Sequence, residues 1–213
     1  MARPVLHSYY RSSCSWRVRI ALALKGIEYE TNPVHLLKDG GQQFSETFSK
    51  LNPMHQLPAL EIDGHVLTQS TSIIEYLEET HPDNNVLPKC PIQRAKARSL
   101  ADTITSGIQP LQNLSVLKYV GDERKMEWGN HWITRGFIAL EKMLEGTAGK
   151  YCVGDAISIA DLCLVPQVYN AQRFKVDMTQ FPTINRIHDE LVQLDAFIAA
   201  HPSRQPDCPE DQR

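Results

Sequence analysis

The sequence has no long hydrophobic run and no strong net charge. Its 213 residues contain no unbroken apolar stretch longer than five residues, as in Ile20 to Leu24, whereas a membrane span needs about 18 or more. Lysines and arginines number 22 against 25 acidic residues, a net charge of −3 that provides no global field for nucleic acid. We therefore expect neither a membrane protein nor a nucleic-acid-binding protein.

The five cysteines are odd in number, are widely spaced and include no C-x-x-C pair. A disulfide framework normally needs an even set in a short secreted chain, and a secretory signal needs an apolar stretch of about 7–15 residues near the amino terminus. The sequence shows neither, so reduced thiols and a cytoplasmic location are expected. Residues 1–27 carry five cations and no acid, which leaves an organelle transit peptide as an alternative to a folded, basic segment.

Several catalytic motifs are also missing. No two of the eight histidines lie within five residues of each other, so helical zinc spacings fail and no metal site is expected. The patterns G-x-G-x-x-G, G-x-S-x-G and the phosphate-binding P-loop do not occur. Metalloproteases, P-loop nucleoside triphosphatases and serine hydrolases are therefore disfavoured.

The first 80 residues alternate between strand and helix patterns. Asp63-Gly64 between two apolar β-forming runs predicts a hairpin with a type I′ turn, and Gly26 suits a left-handed helix end. The predicted order is a strand at 5–9, a helix at 16–25, a strand at 29–34, a polar loop at 38–52, strands at 59–62 and 65–68, and a helix at 70–81.

Residues 82–91 contain three prolines and an Asn-Asn pair, which is typical of a linker between domains. Only helical periodicity follows the linker, so the fold class is α/β plus all-α, with domains at 1–82 and 92–213. The predicted helices are 92–119, interrupted near Gly107 and Pro110, then 128–144, one that a Ser158–Asp161 capping box starts, and 183–200, followed by an irregular tail at 202–213.

The segment between the first strand and the first helix is rich in hydroxyls and cations. It reads Arg11, Ser12, Ser13, Cys14, Ser15, Trp16, Arg17. A helix N-terminus offers unpaired N–H groups and partial positive charge, so it can stabilise an anion such as a thiolate and lower its pKa. On its own the motif is explained better by ordinary helix caps and a buried small cysteine.

Two further segments contain groups that could bind a ligand. Leu57 precedes Pro58 at the start of a strand, and a cis bond there would expose the main chain of Leu57 for strand-like pairing with a peptide. Ser70 begins a helix directly after Gln69, where it can cap that helix or bind a carboxylate together with the adjacent N–H groups. A plain loop proline and a plain cap remain the alternatives.

These features together resemble the zeta class of glutathione transferases, over roughly residues 4–206. The resemblance rests on residues 12–26, 52–54, 56–60, 69–70 with 73–77, 107–118 and 160–168. It implies a thioredoxin-like N-terminal domain followed by an all-helical C-terminal domain, and a cytosolic homodimer. It also implies glutathione as cofactor, isomerisation of maleylacetoacetate to fumarylacetoacetate in phenylalanine and tyrosine catabolism, and transfer of glutathione to small electrophiles such as α-halo acids.

The resemblance also assigns site residues. Ser12, Ser13 and Cys14 are implied near the glutathione sulfur as catalytic residues. The implied glutathione-binding residues are these three with Ser15, Trp16, Arg17, Gln43, Leu57, Gln69, Ser70, Gln109, Asn113, Leu114 and Ser115. Arg173 is implied to bind the second substrate, a small dicarboxylate. The family often has Val where this chain has Leu57, and a small apolar residue where it has Ser72, and both are mild departures.

Two other classes remain as alternatives. A dithiol oxidoreductase would need a resolving cysteine three residues after Cys14, where Arg17 stands, so only single-cysteine chemistry is open to that class. A non-catalytic binding protein on the same fold would have no need of the thiolate motif, which is intact here.

Overall fold

The computed structural model describes residues 3–213. They form two compact units. One unit consists of residues 3–84 together with 195–213, and the other consists of residues 85–194. Each unit is described by itself below.

The first unit is built around a four-stranded sheet of order β2-β1-β3-β4. Its elements in chain order are β1 (Val5–Ser8), α1 (Ser13–Leu24), β2 (Glu30–Pro33), α2 (Glu46–Leu51), β3 (Ala59–Ile62), β4 (His65–Thr68) and α3 (Ser70–Thr80). Strand β2 runs parallel to β1, whereas β3 is antiparallel to both β1 and β4. This β-α-β then β-β-α order is the predicted thioredoxin-like arrangement, which is confirmed.

Local sequence signals explain most boundaries in this unit. Asp63 and Gly64 both have positive φ, 51° and 78°, as a type I′ hairpin turn requires. Gly26, with φ 65°, follows the end of α1 in the left-handed conformation, as predicted. The core beneath the sheet includes Leu6, Ile20 and Leu60, none of which is exposed to solvent.

The segment predicted as a polar loop at 38–52 contains a helix instead. Ser45 accepts a hydrogen bond from the N–H of Phe48 at 3.3 Å and so caps α2. Phe48 is buried and supplies the apolar contact that anchors this six-residue helix. The prediction was wrong because a single buried aromatic leaves no visible periodicity in a polar stretch.

The second unit is entirely helical apart from one isolated bridge within its described residues. Its helices are α4 (Pro91–Gly107), α5 (Leu114–Val120), α6 (Lys125–Leu144), α7 (Ile159–Arg173) and α8 (Pro182–Leu191). A 3₁₀ turn, Gln109–Gln112, separates α4 from α5, so the predicted interruption near Gly107 and Pro110 is confirmed. Proline has no N–H to donate within the helix.

Helix α7 starts at the predicted capping box. Asp161 is fully buried and accepts hydrogen bonds from the Ser158 N–H at 2.7 Å, the Ser158 hydroxyl at 2.8 Å and the Cys152 N–H at 2.9 Å. Burial raises the pKa of Asp161, and these hydrogen bonds act in the opposite direction. The same buried surroundings raise the pKa of the Cys152 thiol.

The end of the chain differs from the prediction in two ways. The single helix predicted at 183–200 is divided, with α9 (Asp195–Ala200) separate from α8. Residues 195–213 also belong to the first compact unit, whereas the predicted division placed them with the helices from residue 92 onwards. The reason is Arg19, whose buried guanidinium donates to the carbonyl of Ala200 at 3.1 Å.

The tail after α9 is more ordered than the irregular segment that its prolines indicate. It contains two 3₁₀ turns, Pro202–Arg204 and Glu210–Gln212. Gln205 between them is buried and donates to the carbonyls of Ala199 and His201. These hydrogen bonds connect the tail to α9.

Candidate functional site

Four chain segments meet at one end of the sheet. His7 near the end of β1 pairs with Ala59 at the start of β3, and Ala59 pairs with Thr68 at the end of β4. Ser8 pairs with Pro33 at the end of β2. The segments that follow β1, β2 and β4, and the one that precedes β3, therefore begin at the same edge. They contain the predicted residues Ser12–Arg17, Gln43, Gln69–Ser70 and Leu57 respectively.

The N-terminus of α1 has hydrogen-bond donors to spare. Ser12 is its N-cap residue and accepts a hydrogen bond from the N–H of Ser15 at 3.2 Å. The N–H groups of Ser13 and Cys14 have no acceptor among residues 3–213, as is usual for the first turn of a helix. Ser13 is buried, and Ser12 and Cys14 are half-buried. The first turn contains no acid, so it favours an anion.

Capping does not use up the Ser12 hydroxyl. Its oxygen accepts the Ser15 N–H, which leaves the hydroxyl proton available for donation. Ser12 can therefore cap the helix and donate to a thiolate at the same time. Both interpretations of the motif, as a cap and as a thiolate donor, are compatible with this geometry.

Arg17 is a buried cation with unused donors. Its side chain is only 2% exposed, and Nη1 donates to the Ser70 hydroxyl at 3.2 Å. Its Nε and Nη2 have no hydrogen-bond partner in the described part of the chain. Buried polar groups normally have partners, and a planar guanidinium suits a carboxylate. Arg17 thus joins the starts of α1 and α3 and can accept an anionic ligand.

Gln69 and Ser70 form the entry to α3. Gln69 has φ 68° and ψ 116°, a conformation that non-glycine residues rarely adopt and that is found mostly at functional positions. Within residues 3–213 no side chain caps α3, and its first N–H groups have no acceptor there. Trp16, which is buried on α1, makes an edge contact with the His201 ring at 5.2 Å between centroids.

The peptide bond between Leu57 and Pro58 is cis, as the resemblance implies. Neither main-chain polar group of Leu57 takes part in a hydrogen bond within residues 3–213, so both are available to an extended peptide. Asn52 supports this turn, donating to the Gln56 carbonyl at 2.7 Å and accepting from the Met54 N–H at 3.0 Å. Asn52 is buried and acts as a positioning residue.

Gln43 lies on the segment after β2. Its side chain is buried, and its Oε1 has no partner among the described residues. His55 contacts the Gln43 carbonyl through Nδ1 at 3.1 Å, which connects this segment to the turn before Pro58. Gly41 suits this position because its φ of 111° lies in a region that residues with a side chain rarely adopt. The sequence reasoning missed His55, whose isolated position gives no signal.

The remaining predicted residues lie in the helical unit. Asn113 caps α5 and accepts from the N–H and the hydroxyl of Ser115, both at 3.2 Å. Gln109 begins the preceding 3₁₀ turn, and Leu114 is the first residue of α5, so these four form one local group. Arg173 stands apart from them in sequence, at the exposed end of α7, with its guanidinium 5.4 Å from the centre of the Phe174 ring.

The described residues contain no cluster of three or more metal-binding side chains, and none of their five cysteines forms a disulfide. Within the same residues no helix is both long and apolar enough to cross a membrane. The groups available at this end of the sheet are hydroxyls, main-chain N–H and C=O groups, the Cys14 thiol, side-chain amides and one buried guanidinium.

Comparison with known proteins shows which family and which relatives this chain is similar to. The family "Glutathione S-transferase, N-terminal domain" matches residues 11–80, and "Glutathione S-transferase, C-terminal domain" matches residues 111–203. The maleylacetoacetate isomerase of Mus musculus is 62% identical over 99% of this chain and 98% of its own. A zeta-class glutathione S-transferase of Euphorbia esula is 48% identical over 95% of this chain and 91% of its own.

Solved structures of maleylacetoacetate isomerase are also similar to this chain. Maleylacetoacetate isomerase from Anaeromyxobacter dehalogenans 2CP-1 with bound glutathione has a TM-score of 0.88 and 45% identity, covering 97% of this chain and 98% of that one. The same enzyme with bound dicarboxyethyl glutathione and citrate has a TM-score of 0.86 and 42% identity, covering 98% of this chain and 100% of that one. With fold, motif and sequence in agreement over nearly its full length, this chain belongs to the glutathione S-transferase family, in its zeta class.

Proposed function

We propose that this protein catalyses the glutathione-dependent cis–trans isomerisation of maleylacetoacetate to fumarylacetoacetate, a step of phenylalanine and tyrosine catabolism. The observation that carries the proposal is the N-terminus of α1, where the Ser12 hydroxyl can donate, the N–H groups of Ser13 and Cys14 have no acceptor among residues 3–213, and the first turn contains no acid. The similarity over nearly the whole chain to the mouse isomerase and to the isomerase solved with glutathione supports the same reaction.

Rotation about the cis double bond of maleylacetoacetate is blocked, so the reaction must convert it to a single bond for a time. Bound glutathione supplies a thiolate that adds to the cis double bond, allows rotation about the resulting single bond, and is expelled unchanged as the trans double bond forms. The sulfur is regenerated, so glutathione acts as a cofactor. The task of the protein is to bind the thiol, to keep it ionised and to orient the dicarboxylate against it.

Keeping the thiol ionised is an electrostatic task. A thiol of pKa near 8.5 is only a few per cent ionised at pH 7. Lowering its pKa by about two units requires roughly 2.7 kcal/mol of preferential thiolate stabilisation. One hydroxyl donor and a helix N-terminus can provide this amount. Ser12 is the leading donor, and Ser13 and Cys14 add their N–H groups.

The rest of glutathione has matching groups on the same unit. Leu57 offers a free N–H and C=O for strand-like pairing with the cysteinyl main chain. The unused donors of Arg17, with Ser70 and the uncapped start of α3, suit the γ-glutamyl carboxylate. The buried Gln43 amide suits the glycyl end. We therefore assign glutathione binding to residues 1–82.

The second substrate is a dianion and needs a further cation. Arg173 is exposed at the end of α7 and always charged, so we assign to it a carboxylate of the substrate. Gln109, Asn113, Leu114 and Ser115 lie together around the start of α5 in the helical domain, 92–213, and we assign them to the border of the site. The same activated thiolate also suits displacement of halide from α-halo acids.

The experiment is incubation of the purified protein with maleylacetoacetate, with and without glutathione. We expect fumarylacetoacetate only when glutathione is present, at a rate proportional to enzyme and with no loss of total thiol. Ser12→Ala should reduce the rate, and Ser45→Ala, which removes the equivalent cap of α2, should leave it unchanged. No isomerisation despite glutathione binding would favour a binding protein, and disulfide exchange through Cys14 alone would favour an oxidoreductase.

Dimerisation and location are part of the proposal. Phe44 and Met54 on the first unit, and Ile92 on the helical unit, are large apolar side chains that are 58%, 62% and 67% exposed. A second copy of the chain would cover such surface. Light scattering should give a mass twice 24.1 kDa, and a monomer mass would contradict the homodimer. The lack of disulfides among the described residues fits a reducing compartment, and cell fractionation tests the cytoplasmic location.

A further inference from the structure

The carboxyl-terminal tail lies against the segment that leads into α1, in the same compact unit. The N–H of Tyr10 donates to the Asp207 carboxylate at 2.8 Å, and the Tyr10 hydroxyl donates to the Gln212 side chain at 2.8 Å. Two tail residues therefore hold the backbone and the side chain of one residue, two positions before Ser12.

Tyr10 belongs to a tight turn that directly precedes α1 and sets the position of its first residues. The N–H of Ser12 donates to the Tyr9 carbonyl at 2.9 Å and closes the turn. Arg19 donates to the carbonyls of Tyr9 at 3.4 Å and Tyr10 at 2.8 Å. Burial lowers the pKa of Arg19 to about 10, so it stays charged at neutral pH. Arg19 thus fixes the carbonyls of the turn, and Asp207 fixes the N–H at its centre.

The tail also reaches the other side of the site. Cys208 is buried in an apolar cluster with Tyr9, Tyr10 and Leu57. Its sulfur lies 3.5 Å from the Pro209 carbonyl, and burial raises the pKa of its thiol, so Cys208 is a protonated packing residue. The tail therefore contacts the turn before Ser12 through Tyr10 and shares one apolar cluster with Leu57, the residue before Pro58.

One feature of Asp207 is costly for stability. Its Oδ1 is buried and has no hydrogen-bond partner in the described chain, and an unsatisfied buried acceptor destabilises the folded state. Packing alone would be served better by an apolar side chain. The remaining oxygen, Oδ2, makes the bond to Tyr10, so the carboxylate is retained for that contact.

We infer that Asp207 is a positioning residue of the glutathione site. By accepting the Tyr10 N–H it fixes the turn of residues 9–12, and with it the Ser12 hydroxyl and the free N–H groups of Ser13 and Cys14 that face the thiol. The inference rests on the proposed function for the identity of the ligand, glutathione, but not for the reaction.

The test measures glutathione binding and thiol ionisation in the full-length protein, without the second substrate. We compare Asp207→Ala, Asp207→Asn, Gln212→Ala and Asp211→Ala by calorimetric Kd for glutathione and by ultraviolet titration of the bound thiolate. Asp211 is a matched control, because it is an exposed carboxylate of the same tail with no hydrogen bond to the turn. Gln212 is exposed at the end of the chain, so its substitution leaves folding intact.

Asp207→Ala should weaken glutathione binding about tenfold, the effect of losing a hydrogen bond to a charged group, and should raise the pKa of the bound thiol. Asp207→Asn keeps an acceptor oxygen and should restore both values. Gln212→Ala should change both in the same direction by less, and Asp211→Ala should stay within about twofold of wild type.

Several results would overturn the inference. One is an Asp207→Ala protein with a lower Tm but the wild-type Kd and thiol pKa, because that is a structural role alone. Another is an Asp207→Asn protein that loses as much as Asp207→Ala, because the acceptor oxygen would then be irrelevant. Wild-type protein that does not bind glutathione would overturn both proposals. Binding without isomerisation would overturn the proposed function only.

Discussion

Replacing Arg17 by Met should affect stability and glutathione binding in opposite directions. Arg17 is 2% exposed, uses Nη1 on Ser70 and leaves Nε and Nη2 without a protein partner. Each unsatisfied buried donor costs about 1–3 kcal/mol, and a buried charge without a counter-ion adds to that cost. Met is similar in length and removes both costs, so the ligand-free protein should unfold with an unchanged or larger free energy, by up to about 2 kcal/mol.

Binding should change the other way. Removing one partner of a buried charge pair costs about 2–5 kcal/mol, and the lower end applies because Ser70 and the start of α3 remain. We therefore expect glutathione Kd to rise by a factor of about thirty, since about 1.4 kcal/mol corresponds to tenfold. Saturating glutathione should then raise the Tm of Arg17→Met less than that of wild type.

Arg19→Met is the matched control. Arg19 is the same residue type on the same helix and equally buried, but its guanidinium donates to Ala200, Ser8, Tyr9 and Tyr10. Its removal leaves several carbonyls unsatisfied and should lower the free energy of unfolding by about 3–5 kcal/mol. Chemical denaturation gives the stabilities and calorimetry gives Kd. If Arg17→Met lowers stability as Arg19→Met does and leaves Kd unchanged, the reasoning is refuted.

Three further predictions concern the other parts of the site and fold. Ser12→Ala should reduce kcat and shift the pH dependence of kcat to higher pH, because the bound thiol ionises less. The control Ser45→Ala should lower only the free energy of unfolding, by about 0.5–2 kcal/mol, as the loss of a helix cap does. If Ser12→Ala has the pH dependence of the wild type, Ser12 is a helix cap alone. Arg173→Ala should lower kcat/KM for a carboxylate substrate but not for a neutral electrophile, with glutathione Kd unchanged and partial recovery in Arg173→Lys; equal losses on both substrates would contradict the anion role. Asp161→Ala should lower the free energy of unfolding by about 2–4 kcal/mol, because three hydrogen-bond donors lose their acceptor. Asp155 is exposed and accepts from one N–H, so Asp155→Ala should lower the free energy of unfolding by less than about 1 kcal/mol.

Elements with strong local signals were predictable from the sequence. The hairpin around Asp63-Gly64 has the predicted strand bounds, because the turn type fixes its register. The Ser158–Asp161 capping box correctly marks the start of α7. Helix α2 and the membership of residues 195–213 in the first unit were missed, because both depend on tertiary contacts, of Phe48 in one case and of Arg19 with Ala200 in the other.

In the candidate site, too, some residues were predictable from the sequence and others were not. The hydroxyl motif at Ser12–Ser13 and the Leu57–Pro58 turn are local sequence features, so a resemblance in sequence can indicate them. The supporting residues Asn52, His55 and Asp207 act over the loop or across the fold. Asn52 lies in the segment 52–54 on which the resemblance partly rests, but nothing in the residues next to His55 and Asp207 indicates their roles, since a single polar residue in a loop is compatible with full exposure.

Arg17 and Arg19 show why burial alone does not define a functional residue. They flank Val18 on one helix, both are buried, and the sequence pattern treats them alike. What differs is the acceptors that the fold provides. Arg19 faces the carbonyls of the turn before Ser12 and of α9, so its charge is satisfied by the protein and it connects the tail to the sheet unit. Arg17 faces the start of α3, where the first groups of a helix are themselves donors and cannot satisfy a cation. A buried guanidinium beside a helix N-terminus needs an anion from outside the chain, and glutathione carries carboxylates that fit it.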